Sequence, residues 1–225
     1  MMEGASFFSG MGRTPRVLDA GIPLSRYVPL DLSVDNRELA VVNITDPAAC
    51  EAYVAQVLQE NNGTVAYGGY LERRNLYRDK TQFGDGAGPA RNIHLGVDFW
   101  CTAGTLVLAP LDGAVHSFQN NGGKGDYGPT LILEHRYAGT SFFTLYGHLA
   151  TASLEGLFVG KPFRAGEPLG ALGTAKENGN YAPHLHFQLI WDMGDLRGDY
   201  PGVASQADLH FHRKNCPDPN LLLKL

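Results

Sequence analysis

The heptad HLHFQLI, His184 to Ile190, decides the architecture. His184, His186 and Gln188 fall on one face of its alternation and Leu185, Phe187 and Leu189 on the other. That is the period of a strand with one apolar side turned to a core. Pro183, just before it, pins where the strand begins. Working outward, TLVLAP (Thr105–Pro110), GAVHSF (Gly113–Phe118), TLILEH (Thr130–His135) and SFFTLYGHL (Ser141–Leu149) have the same strand composition. Glycine-rich connections, Asn120–Gly128 and Lys176–Pro183, join them. Glycine stands at 28 of 225 residues, about 12 % against a usual ~7 %. Such a chain is built from short strands and turns, and a mostly β, antiparallel domain over residues 68–225 is expected. Its tail after residue 193 reads as polar and irregular, ending in the apolar LLLKL.

Residues 1–67 read as an N-terminal extension with one helix over 46–62. Asp46 suits its N-cap and Pro47 its first position, and Gly63 follows its end. Cys50, Tyr53, Val54, Val57 and Leu58 form a single apolar stripe, which makes Cys50 a core residue. The net charge of −5 carries no basic footprint, so nucleic acid and anionic membranes are not expected partners. No apolar run approaches the ~18 residues of a membrane span. The first 21 residues lack the basic start and apolar stretch of a secretory leader. With three scattered cysteines, Cys50, Cys101 and Cys216, these features lead to an expectation of a reduced, cytoplasmic protein.

The histidines carry the chemistry. In HLGVDF, His94 and Asp98 are four apart, and the β-favouring neighbours argue against a helix. On a straight strand they would lie roughly 13 Å apart at ~3.3 Å per residue. They can share an ion only if the backbone bends, which Gly96 permits. His184 and His186 face one side of their strand, and each imidazole must satisfy two ring nitrogens. His148 ends the Ser141–Leu149 segment. Asp208, His210 and His212 in DLHFH form a rival alternating set, read as a solvated edge beside Arg213 and Lys214. His116 and His135 read as ordinary structural residues.

Taken in order, HLGVDFWCTAGTLVLAPLDGAV, GDYGPTLILEH, TLYGHLA, VGKPFRAGEPLGALGTA and PHLHFQL resemble the lysostaphin/LytM-type zinc metalloendopeptidases over roughly 68–191. The resemblance implies a β-barrel/sandwich of the duplicated-hybrid-motif type with a long cleft. It also implies one zinc per chain held by His94, Asp98 and His186, with His148 and His184 in catalysis. The implied substrate is a peptide or peptidoglycan fragment. Two imidazoles and a carboxylate with an open position suit a catalytic zinc, and no HExxH glutamate is present to act as base. Just upstream, GGYLERRNLYRD (Gly68–Asp79) reads as a loop over the cleft from which Arg73 or Asn75 reaches substrate. The competing reading is a solvated connection.

Two other classes stand beside this one. A cupin-like non-haem iron oxygenase also uses two histidines and a carboxylate, but the first acid after the HxH pair here is Asp192. A carrier module is suggested by VGKPFRAGEPLGALG (Val159–Gly173), yet neither Lys161 nor Lys176 stands at a tight hairpin tip.

Overall fold

The computed structural model describes residues 7–8, 10–11, 15–79 and 89–225. The reading of the first 21 residues as leaderless therefore falls in part outside the described residues. Along the chain run β1 (Tyr27–Pro29), β2 (Val65–Gly68), β3 (Arg91–His94), β4 (Val97–Trp100), β5 (Leu106–Leu108) and β6 (Gly113–Asn121). Then come β7 (Gly128–Tyr137), β8 (Thr140–Gly147), β9 (Pro162–Phe163), β10 (Pro168–Ala171), β11 (His184–Ile190) and β12 (Val203–Ser205). The helices are α1 (Pro47–Glu60), α2 (Leu209–Asn215) and α3 (Asn220–Leu223). No helix among the described residues is long and apolar enough to cross a membrane.

Eight strands form one sheet in the order β1-β2-β4-β11-β8-β7-β6-β9, and β10–β5 and β12–β3 form two small ribbons. All pairs are antiparallel except β1 with β2. Of the expected β-barrel/sandwich, no closed barrel is found among the described residues; the main sheet is open. Its edges are short, and β9 begins at Pro162, which has no N–H to offer a further strand. Residues 1–67 also do more than precede the β domain, because β1 and β2 extend its sheet beside β4.

Leu185, Phe187 and Leu189 of β11 enter the main core with Val97, Phe99, Leu131 and Tyr146. Each such side chain contributes about 1.5–3 kcal/mol when fully buried. α1 starts where Asp46 Oδ1 accepts the Ala49 N–H at 2.8 Å, and Gly63 N–H closes its end on Leu58 O at 2.7 Å. Cys50, Tyr53 and Val54 pack it against Leu30, Leu32 and Trp100. Trp100 in turn stacks on His184, so this helix supports the site from behind.

The tail departs from the sequence expectation. β12 pairs with β3, and Leu222 and Leu223 of α3 are buried in the main core. Residues 209–212 do not alternate as an edge strand; they begin α2. His212 sits one turn beyond Asp208, with 3.8 Å between Nε2 and Oδ2. His212, Arg213 and Lys214 fall in the last turn, where the helix dipole favours positive charge.

His135 gives the fold a pH dependence remote from the histidine cluster. Its Nδ1–H donates to Asp112 O at 2.9 Å, and Nε2 lies 2.7 Å from the Thr144 hydroxyl. Burial pushes its pKa down to about 4, against ~6.5 in an unfolded chain. Between these values the unfolded state binds the extra proton. This contribution to stability is therefore complete above pH 6.5 and lost as pH falls toward 4. Urea unfolding of His135→Gln followed across that window should show a decline shallower than wild type by up to about 1.4 kcal/mol per pH unit; parallel curves would contradict the assignment.

Candidate metal centre

Strand register assembles the site. β11 lies between β4 and β8, with His186 opposite Asp98 on one side and Gly147 on the other. His184 is opposite Trp100 and stacks on it, ring centroids 4.0 Å apart at 16°. His94 arrives from the β12–β3 ribbon. Leu95 and Gly96 carry the chain from that ribbon into β4, so His94 Nε2 ends 3.2 Å from Asp98 Oδ1. The bend that the HxxxD spacing needs is made there. A Cβ on Gly96 would lie 2.7 Å from Phe187 O and 2.8 Å from two atoms of the His186 ring.

Three donor atoms converge. His94 Nε2 and His186 Nδ1 are 2.8 Å apart, and His186 Nδ1 is 3.1 Å from Asp98 Oδ1. His94, Asp98 and His186 form the one three-donor group among the described residues, and all three are buried. The outer nitrogens fix the tautomers. His94 Nδ1–H donates to Gly69 O at 3.0 Å, and His186 Nε2–H donates to Gln188 Oε1 at 2.9 Å. Both inward nitrogens therefore present lone pairs, and so does the carboxylate. Three acceptors facing one another have no proton to share and call for a cation. Tetrahedral zinc with bonds of ~2.0–2.1 Å sets its ligand atoms about 3.3 Å apart, so these residues fit zinc.

Electrostatics keep the donors in binding form. Burial, aided by the Arg74 charge, drives His94 down to about 3. Burial alone would raise Asp98, but His94 and Arg74 outweigh it and hold the carboxyl well below the usual range. With His94 neutral, the lasting charge on that carboxylate is Arg74, whose Nη1 is 2.5 Å from Oδ2.

His148 and His184 complete the cleft of about 340 Å³. Their ring centroids are 4.1 Å apart, and that of His148 is 6.4 Å from His186. His148 directly follows β8 in a left-handed conformation, φ +63°, which is uncommon for a side-chain-bearing residue. Its N–H donates to Tyr127 O, and its carbonyl accepts from Gly173 N–H. His148 Nδ1–H donates to Asn178 O at 2.7 Å and His184 Nδ1–H to Ala182 O at 2.8 Å. In each ring Nε2 is left without a protein hydrogen bond among the described residues. Burial holds both rings neutral: His148 lies well below the usual value, and His184 is lowered to about 4.

The five histidine and aspartate positions of the sequence reading thus lie together, and the two upstream candidates lie elsewhere. Arg73 is exposed, with Nη2 donating to Gln206 Oε1 at 3.2 Å. Asn75 is exposed and lines a separate hollow with Ser33 and Arg78. The residue between them, Arg74, is the one that reaches the cluster. The cause is local pairing: residues 73–74 run beside β3 and Ser33, which turns Arg73 and Asn75 outward and Arg74 inward. Gly69, Arg74, Asn178 and Gln188 escaped the sequence reading. Only Gln188 left a signal, as the next polar residue on the face that carries His184 and His186.

Residues 92–197 match the family model of peptidase family M23. This stretch is similar to a peptidase family M23 domain. It is 36 % identical over 98 residues to a DD-carboxypeptidase/endopeptidase Mpg from Neisseria meningitidis, covering 43 % of this chain and 20 % of that protein. A metalloprotease from Haemophilus influenzae is 35 % identical over 117 residues, covering 50 % of this chain and 22 % of that protein. The chain thus spans about a fifth of the length of these curated relatives. The catalytic domain of lysostaphin from Staphylococcus simulans aligns with 59 % of this chain and 94 % of its own, at 23 % identity and a TM-score of 0.35.

The close approach at Gly96 makes the three-donor site testable without touching a donor. Gly96→Ala should displace the His186 ring and weaken metal binding at least about tenfold, the usual scale for disturbing a ligand's support. Titration calorimetry of the folded variant measures it, and wild-type affinity would contradict the packing described.

Proposed function

We propose that the chain is a zinc-dependent endopeptidase or amide hydrolase acting on peptidoglycan-type or glycine-containing peptides. The observation that carries this reading is the convergence of three lone-pair donors beside two further imidazoles in one cleft. The matched Neisseria relative, by name a DD-carboxypeptidase/endopeptidase, supports a peptide bond as the target. His94, Asp98 and His186 would hold the metal. A bound zinc would supply Lewis acidity there, lowering the pKa of water to about 7 and polarising a carbonyl.

The chain's own groups handle the protons. In His148 and His184 the Nδ1–H is committed to a backbone carbonyl, so Nε2 is the basic nitrogen. In amide hydrolysis the water oxygen bonds to the carbonyl carbon, the C–N bond breaks, and one water proton passes to the leaving nitrogen. An imidazole kept neutral by burial can take that proton and give it back. Stacking on Trp100 holds the His184 ring in plane, and the backbone ties at His148 fix where its Nε2 stands.

The test is digestion of defined muropeptides and oligoglycine peptides by zinc-loaded protein, with new amine termini read by mass spectrometry. Cleavage is expected, and His148→Ala should lower kcat by about 10²-fold or more while zinc is retained. Turnover within about threefold of wild type would reject the role of His148. Cleavage of glycine peptides without any muropeptide cleavage would reject the cell-wall substrate and leave the hydrolase.

A further inference from the structure

Arg74 is 1 % exposed. A buried guanidinium is costly unless its charge is met, and here two carboxylates meet it. Nη1 pairs with Asp98 Oδ2 at 2.5 Å, and Nε pairs with Glu72 Oε2. Glu72 is itself held, because its Oε1 accepts the Leu32 N–H at 3.1 Å. The backbone is fixed as well: Arg74 N–H donates to Asn92 O at 2.9 Å, two residues before His94. The guanidinium also packs on Gly69, where any side chain would run into both Arg74 and His94 Nδ1. Gly69 O is the acceptor that sets the His94 tautomer. One cation thus braces the surroundings of two of the three donors.

We propose that Arg74 is a positioning residue of the metal centre: by occupying Asp98 Oδ2 it holds the carboxylate so that Oδ1 alone faces His94 and His186. The inference rests on the reading of His94, Asp98 and His186 as metal ligands. The division of the carboxylate is visible in the contacts. Oδ1 is 3.2 Å from His94 Nε2 and 3.1 Å from His186 Nδ1, while Oδ2 is taken by Arg74. A carboxylate without that partner could rotate, offer both oxygens to a cation, or swing away from it. The guanidinium fork suits this task better than an ammonium, since its nitrogens meet Asp98 and Glu72 in one fixed plane. Charge balance is kept too: Arg74 offsets one of the two carboxylates, buried Asp98 and half-buried Glu72, leaving a net negative site for a cation.

The test measures zinc affinity by chelator competition on the full chain, with the cobalt(II) visible spectrum as a second readout and urea unfolding as the check on folding. Arg74→Met should weaken zinc binding about 10- to 100-fold and alter the cobalt spectrum. Arg74→Lys, which restores the charge but cannot bridge both carboxylates, should recover the affinity only in part, leaving a loss of about three- to tenfold. Because Arg74 acts through Asp98, Arg74→Met should add less than about twofold in an Asp98→Ala background. Wild-type affinity and spectrum in Arg74→Met would overturn the proposal, and so would an equal loss with and without Asp98. If Arg74→Met does not fold, Arg74→Lys carries the same comparison: a loss seen only with Asp98 supports it, and no loss or an equal loss overturns it. A wild-type chain that binds no zinc, or binds it equally as His186→Ala, would instead reject the ligand reading beneath it.

Discussion

Everything at the site depends on the antiparallel register of one buried strand. β11 sets His186 opposite Asp98 and Gly147, and His184 opposite Trp100. Strand side chains alternate with a period of two, so a slip of one residue would turn His184, His186 and Gln188 into the main core and expose Leu185, Phe187 and Leu189 to the cleft. Burial of those three apolar side chains is the energetic reason such a slip is excluded. The histidines are thus placed by the opposite face of their own strand, and the core specifies the site without touching it.

The second constraint is electrostatic. Two imidazole lone pairs and a carboxylate oxygen within 3.2 Å of one another do not favour each other in a buried place. Outward hydrogen bonds to Gly69 O and Gln188 Oε1 hold the rings in the facing tautomers, and the Arg74 contact holds the carboxylate. The fold spends stability to keep three acceptors together, a sacrifice that makes sense when a cation returns more than it costs. His148 and His184 also commit Nδ1–H to a backbone carbonyl, but their Nε2 atoms stand outside the three-donor group, which leaves a basic nitrogen on each.

Legibility followed the range of the interactions. The heptad His184–Ile190 coincides with β11, because alternation and flanking turn residues are local signals. The helix after Asp46 was equally plain, its cap and apolar stripe lying within the segment itself. Residues 209–212 misled, since four alternating residues fit a strand and the first turn of a helix alike, and what decides is the continuation through Asn215. The open sheet was not legible, because closure depends on which strands lie at the edges. Within the site, the five histidine and aspartate positions were found through motif resemblance. Arg74 was missed by one residue on either side, since which of three successive residues turns inward is set by pairing with β3 and Ser33.

The most direct measurement of the central claim is the metal content of the purified chain by plasma mass spectrometry, alongside folded His186→Ala. The account predicts about one zinc per chain in the wild type and almost none in the variant. A folded wild type that takes up no zinc when it is supplied, or a variant that keeps as much as the wild type, would contradict it.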